Sequence, residues 1–171
     1  MKNSTLCYIE QNGAYLLLHR TKKKNDINEG KWIGVGGKFE PDETPEECML
    51  REVKEETGLT LLQYRLRGIV TFVQDVGETE LMFLYTSDSF EGELTDCVEG
   101  DLKWIPKDEI FDLELWEGDR EFLRLLDQEA GFFSMKLCYR GDALVEWKAK
   151  IYDEKGVVNR SQGIGSGSNG Q

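Results

Sequence analysis

Apolar residues fall in short blocks along the chain, and the first two, Leu6 to Ile9 and Ala14 to Leu18, flank Asn12-Gly13. Asn-Gly readily takes the positive φ angles of a tight hairpin, so the pattern predicts two antiparallel strands between Thr5 and Arg20. Residues 21–31 are polar and basic, and the following Trp32-Ile33-Gly34-Val35-Gly36-Gly37 is apolar but broken by glycines. Glycines of this kind let backbone approach a neighbour closely.

The next element is a sharply bounded helix: Thr44 as N-cap, Pro45 at the first helical position, Glu47 closing a capping box, and Gly58 as the stop. Leu59 to Val73 and Leu81 to Thr86 are rich in apolar and β-branched residues and predict strands separated by a polar turn around Gly77. Leu102 to Ile105 predicts another short strand, and Pro106 to Ile110 a brief helix. Asp119 to Gln128 carries Phe122, Leu123, Leu125 and Leu126 on a helical stripe that ends before Gly131. Phe132 to Tyr139 and Ala143 to Tyr152 flank Gly141-Asp142 and predict a closing hairpin.

Residues 1–155 are therefore expected to form one domain. Residues 156–171, with Gly163, Gly165, Gly167 and Gly170 among Ser and Asn, are expected to be a flexible tail. A length of 171 residues with 39% hydrophobic positions suits one core and excludes a disordered or fibrous chain. The early apolar runs are interrupted by Glu10, Gln11 and Asn12, so neither a signal-peptide core nor a membrane span is expected, and the protein is placed in the cytoplasm. Cys7, Cys48, Cys97 and Cys138 are too dispersed for a zinc or dithiol motif and are expected as reduced thiols.

With 33 acidic and 21 basic side chains, the formal net charge is -12, which repels phosphodiester backbones and argues against duplex nucleic acid as a partner. Arg20, Lys22, Lys23, Lys24 and Lys31 form a basic cluster that either steers an anion or is simply a solvated loop. His19 ends an apolar strand with no second metal-type ligand spaced with it, and is read as structural.

On the capped helix, Glu52, Glu55 and Glu56 fall at about 0, 300 and 40 degrees, crowding three carboxylates onto one face. Such spacing is self-repulsive, and Arg51, within reach of Glu47 and Glu55, offsets only part of it. The face is either merely solvated or positioned to hold a hard divalent cation, which such oxygens prefer and which points to phosphate chemistry. Gly36-Gly37-Lys38 and the loop through Asp42 place flexible backbone and a cation just ahead of it.

The full run reads Gly37, five residues, Glu43, seven residues, Arg51-Glu52-Val53, one residue, Glu55-Glu56, one residue, Gly58-Leu59. At every defined position this resembles the signature box of the Nudix hydrolases, a specific match over 23 residues. The resemblance implies an α/β (α+β) fold, a mixed β-sheet sandwiched between α-helices, over roughly residues 3–153. It also implies hydrolysis of nucleoside diphosphate derivatives with Mg2+ or Mn2+. Glu52, Glu55 and Glu56 then match the glutamates that bind metal or position water, Arg51 the arginine that orients them, and Gly36 a carbonyl metal ligand. Glu99, just before the strand with Trp104, matches an additional metal-binding glutamate or is a solvated loop carboxylate. Either Glu52 or Glu99 is the candidate general base.

Gly30-Lys31-Trp32, Gly34, Gly36-Gly37-Lys38, Glu80-Leu81-Met82, and Leu115-Trp116 with Asp119 resemble the MutT-type branch, including its MutX-like members, which clears oxidised purine nucleotides. Thr5, Trp116 and Asp119 match base-pocket positions there, although a Trp or Asp also serves as core packing or a helix cap. Lys23, Ile33, Gly37 and Lys38 complete the candidate substrate-binding set. Ile33, usual for the MutX-like group, replaces a base-reading Asn, and Gly118 replaces the first of a pair of acidic residues. The resemblance thus implies a monomeric pyrophosphohydrolase acting on a small nucleotide such as 8-oxo-dGTP. Another nucleoside diphosphate substrate, or a non-catalytic nucleotide-binding module, is the alternative.

Overall fold

The computed structural model describes residues 1–165, with the side chains of 157–162 excepted. The elements are β1 (Lys2–Gln11), β2 (Ala14–His19), β3 (Trp32–Ile33), β4 (Val35–Lys38), α1 (Pro45–Thr57), β5 (Thr60–Gln74), β6 (Glu80–Glu91) and β7 (Asp101–Pro106). A 3-10 turn (Lys107–Asp112), α2 (Glu117–Asp127), β8 (Phe133–Arg140), β9 (Ala143–Asp153) and β10 (Gly156–Gly163) follow. The strands form a mixed β-sheet accompanied by helices, and two compact units account for the described residues.

One unit comprises residues 4–65 and 85–115. Its β1–β2 hairpin turns through Asn12 and Gly13, both at positive φ, and pairs Ile9 with Leu16. β4 lies antiparallel to β1, with Thr5 opposite Gly37 and Leu6 opposite Gly36, while β2 carries β3 and β7. The run from Ser4 to Tyr8 and Ile9 is buried without alternation, as a strand covered on both faces must be. Cys48, Met49 and Val53 supply the buried side of α1, which packs on β4.

The other unit comprises residues 1–3, 66–84 and 116 onward. Here β5 runs parallel to β8, pairing Gly68 with Phe133, and β8 runs antiparallel to β9. Phe133, Met135, Leu137 and Tyr139 alternate with exposed or half-buried residues on β8, the period of a strand with one covered face. Phe122, Leu123, Leu125 and Leu126 form the buried stripe of α2.

The expectation of a flexible tail from residue 156 needs correction. Gly156–Gly163 is a strand, β10, antiparallel to β9. Its turn is built from Gly156 at φ 117 and from Lys155 N–H donating to Asp153 Oδ1 at 2.8 Å, which returns the chain onto an otherwise open sheet edge. Residues 166–171 lie outside the described residues. Among the described residues no helix is long and apolar enough to cross a membrane, and the four cysteines are free thiols.

Candidate active site

The helix α1 starts as its sequence dictates. Glu47 N–H donates to Thr44 Oγ1 at 3.1 Å, Thr44 N–H donates back to Glu47 Oε1 at 2.9 Å, and Pro45 opens the first turn. Gly58 closes it at φ 83, its N–H bonded to Lys54 O. Because Glu47 is committed to the capping box, it is not the acid that meets Arg51, contrary to the i-4 expectation.

The acid is Glu43, in the loop before the helix. Arg51 Nε donates to Glu43 Oε2 at 2.7 Å and Nη2 to Glu43 Oε1 at 2.9 Å, a bidentate pair. Nη1 serves Glu52 Oε1 at 2.7 Å and Glu55 Oε2 at 3.2 Å, and Nη2 also reaches Lys38 O at 3.0 Å. The hydrogen bonds to Glu43 and Glu52 raise the pKa of the guanidinium further, and Arg51 in turn holds Glu43 below the ordinary glutamate value. One side chain thus ties the loop, the end of β4 and the acidic face of α1 together.

The glycine pair makes room on two sides. A Cβ on Gly36 would stand 2.0 Å from Thr5 O, and one on Gly37 would stand 2.5 Å from the Glu52 carboxyl carbon. Gly36 therefore permits the strand pairing, whereas Gly37 leaves the space in which the Glu52 carboxylate rests.

Glu56 lies one turn on from Glu52 and is buried, with its Oε2 shielded from solvent and without a hydrogen-bond partner. Its pKa is pushed up to about 9, first by burial and then by Glu99 and Glu52, with Arg20 opposing. Arg20 is itself buried, donating from Nη1 to Glu99 Oε2 at 2.5 Å and from Nε to Asp26 Oδ2 at 2.6 Å. The 20–31 and 97–101 segments are stitched further by Lys22 N–H to Glu99 O and by Lys22 Nζ to Cys97 O. Arg20 and Asp26 were not predicted as parts of the site; the only signal was Arg20's place in the basic cluster.

Carboxylates at this density leave a buried acceptor unsatisfied and a protonation state displaced upward, both of which a bound cation would relieve. The donor set, all oxygen, is of the kind a hard divalent ion takes, and the residues that could hold one are Glu52, Glu56 and Glu99 with the carbonyl of the half-buried Gly36. Among the described residues no three such side chains already converge on one point, since Arg51 and Arg20 draw Glu52 and Glu99 onto guanidinium groups. Glu55, more than half exposed, stands at the rim.

The other expected residues sort plainly. Thr5 is buried, its Oγ1 3.5 Å from Cys48 Sγ. Ile33 is half-buried on β3 opposite Leu18, while Lys23 and Lys38 are exposed. Of the basic cluster, Arg20, Lys22 and Lys31 have acidic partners in Asp26 and Glu99, Asp101, and Glu114 respectively. His19 stacks on Trp32 with ring centroids 4.2 Å apart. Trp116 and the buried Asp119 belong to the other unit, in the first turn of α2.

A NUDIX domain profile matches residues 2–126, and the chain belongs to that family: it is a MutT-type Nudix hydrolase, an enzyme acting on phosphorus anhydrides. Members of the family act on small nucleotide substrates and generally use divalent metal ions. The chain is 34% identical over 146 residues to the oxidized purine nucleoside triphosphate hydrolase of Danio rerio, covering 84% of this chain and 91% of that protein. An uncharacterized Nudix hydrolase of Bacillus subtilis is 27% identical over 144 residues, or 81% of this chain and 87% of the relative. The crystal structure of a MutT protein from Bacillus halodurans matches with a TM-score of 0.79 at 26% identity, covering 87% of this chain and 97% of that one.

Proposed function

We propose that the protein is a magnesium-dependent pyrophosphohydrolase that converts oxidised purine deoxynucleoside triphosphates, 8-oxo-dGTP among them, to the monophosphate and pyrophosphate, so removing mutagenic precursors from the nucleotide pool. The observation that carries the catalytic part is the buried Glu56 acceptor without a partner, flanked by Glu52 and Glu99. The base preference is supported by the likeness to the Danio rerio enzyme and by Trp116 and Asp119 in the first turn of α2.

Mg2+ held by Glu52, Glu56, Glu99 and the Gly36 carbonyl would neutralise phosphate oxygens and acidify an attacking water. The chain's own groups do the rest. Arg51 keeps Glu52 and Glu55 oriented, and the space over Gly37 keeps the Glu52 carboxylate in place. Glu52 takes the water proton as general base. Lys38 and Lys23, both exposed, are the cations assigned to the substrate's phosphates.

The test is to incubate the protein with Mg2+ and 8-oxo-dGTP beside dGTP and separate the products by chromatography. Monophosphate and pyrophosphate, formed faster from the oxidised nucleotide, are expected. Equal turnover of the two would refute the base preference alone. Cleavage of neither, with turnover of a dinucleoside polyphosphate or nucleotide sugar, would replace the substrate.

A further inference from the structure

The helix α2 begins without a cap from its N-cap side chain. Its N-cap residue is Trp116, whose indole makes no cap hydrogen bond to the first turn. The closure comes from β8. Gly118 N–H donates to the Tyr139 hydroxyl at 2.8 Å, in a buried bond spanning 21 residues, while Asp119 N–H turns back to Trp116 O at 3.1 Å.

Tyr139 is fixed by packing. Its ring stacks on Phe72 with centroids 6.4 Å apart, and Trp116 meets it edge to face at 5.5 Å and 84°. A Cβ on Gly118 would stand 2.5 Å from the Tyr139 oxygen and 2.5 Å from Leu137 Cδ1. A side chain at 118 and a hydroxyl at 139 therefore compete for one space. Burial and the nearby Asp119 push the phenol up, so it stays a neutral hydroxyl across the working pH range.

We propose that Tyr139 is a positioning residue for recognition of the substrate base: its hydroxyl accepts from Gly118 N–H and its ring meets Trp116, and together these contacts hold Trp116 and Asp119 in register. Gly118 is its complement, the position without a side chain that leaves the hydroxyl its space. The inference rests on the reading above that Trp116 and Asp119 contact the base.

The experiment compares Tyr139→Phe, Asp119→Asn and the double variant with the unaltered protein on 8-oxo-dGTP and dGTP, measuring KM, kcat and thermal midpoint. Phenylalanine keeps the ring and removes only the hydroxyl. Expected in Tyr139→Phe is a KM for the preferred nucleotide raised about fivefold to tenfold, the scale of one lost buried hydrogen bond, with kcat within about twofold. The double variant is expected to be non-additive, because both changes act on one turn. A wild-type KM in Tyr139→Phe beside a raised KM in Asp119→Asn would overturn the positioning role alone. A wild-type KM in Asp119→Asn, or no turnover of either nucleotide by the unaltered protein, would refute the reading beneath it and this inference too. A fall in kcat and thermal midpoint with KM unchanged would assign Tyr139 to stability only.

Discussion

The two helices begin in opposite ways. α1 is capped by its own neighbours, Thr44 and Glu47 closing each other's backbone groups three residues apart. α2 starts at Trp116 without a side-chain cap and borrows the Tyr139 hydroxyl from a strand that follows it. A locally capped helix takes its start from contacts within a few residues, and in α1 that cap offsets part of the repulsion among its carboxylates. A helix closed from a distance takes its first turn from tertiary packing, so whatever that turn recognises is tuned by residues outside it.

The largest effect is expected on the α1 face. Glu56→Gln should lower kcat by about 10²–10⁴-fold, the range for loss of a group serving metal or proton transfer, as measured by pyrophosphate-release kinetics. The same variant should change stability in the opposite sense. With its folded pKa raised from 4.5 to about 9, metal-free Glu56 is protonated in the folded state where the unfolded chain has already ionised. Stability is therefore lost as pH rises between those values. The metal-free melting temperature of the unaltered protein should decline across that window more steeply than that of Glu56→Gln.

Gly37→Ala should come next, with kcat reduced about tenfold or more by displacement of a group that must hold its geometry closely. Its Cβ would press on a carboxylate that Arg51 holds from the other side. Circular dichroism should show the fold kept. The smallest effect is expected from Thr44→Ala. Loss of the cap costs about 1 kcal/mol, a fall of about 2–4 °C in Tm, and should leave kcat within about twofold. Set beside Tyr139→Phe, it tests the contrast directly, since a local cap should cost stability and the distant one should cost KM. Equal kinetic profiles would erase the distinction.

What the sequence made legible follows the same division. The limits of α1, the Nudix spacing and the crowding of Glu52, Glu55 and Glu56 depend on contacts within a few residues, and were readable. Arg51 was expected within reach of Glu47 and Glu55; it does meet Glu55, but the capping box had already claimed Glu47, so the bidentate partner is Glu43, eight residues away. Glu56 and Glu55 look alike in sequence, yet one is buried and the other exposed, because burial is decided by what the sheet and the Glu99 loop bring alongside. Arg20 was one basic residue in a polar stretch until the fold set Asp26 and Glu99 against it. The strand β10 escaped notice because a polar segment beside a glycine-rich terminus has little pattern of its own, and its pairing depends on the open edge of β9.

The central claim is that the buried carboxylates of α1 and the Glu99 loop form a divalent-cation site. Its most direct test is calorimetric titration of Mg2+ into the protein and into Glu56→Gln, in two buffers of different ionisation enthalpy near pH 7.5. The account predicts that the unaltered protein binds the ion and releases close to one proton, and that the variant binds much more weakly and releases none. Binding of equal strength by both, with no proton released by either, would contradict it.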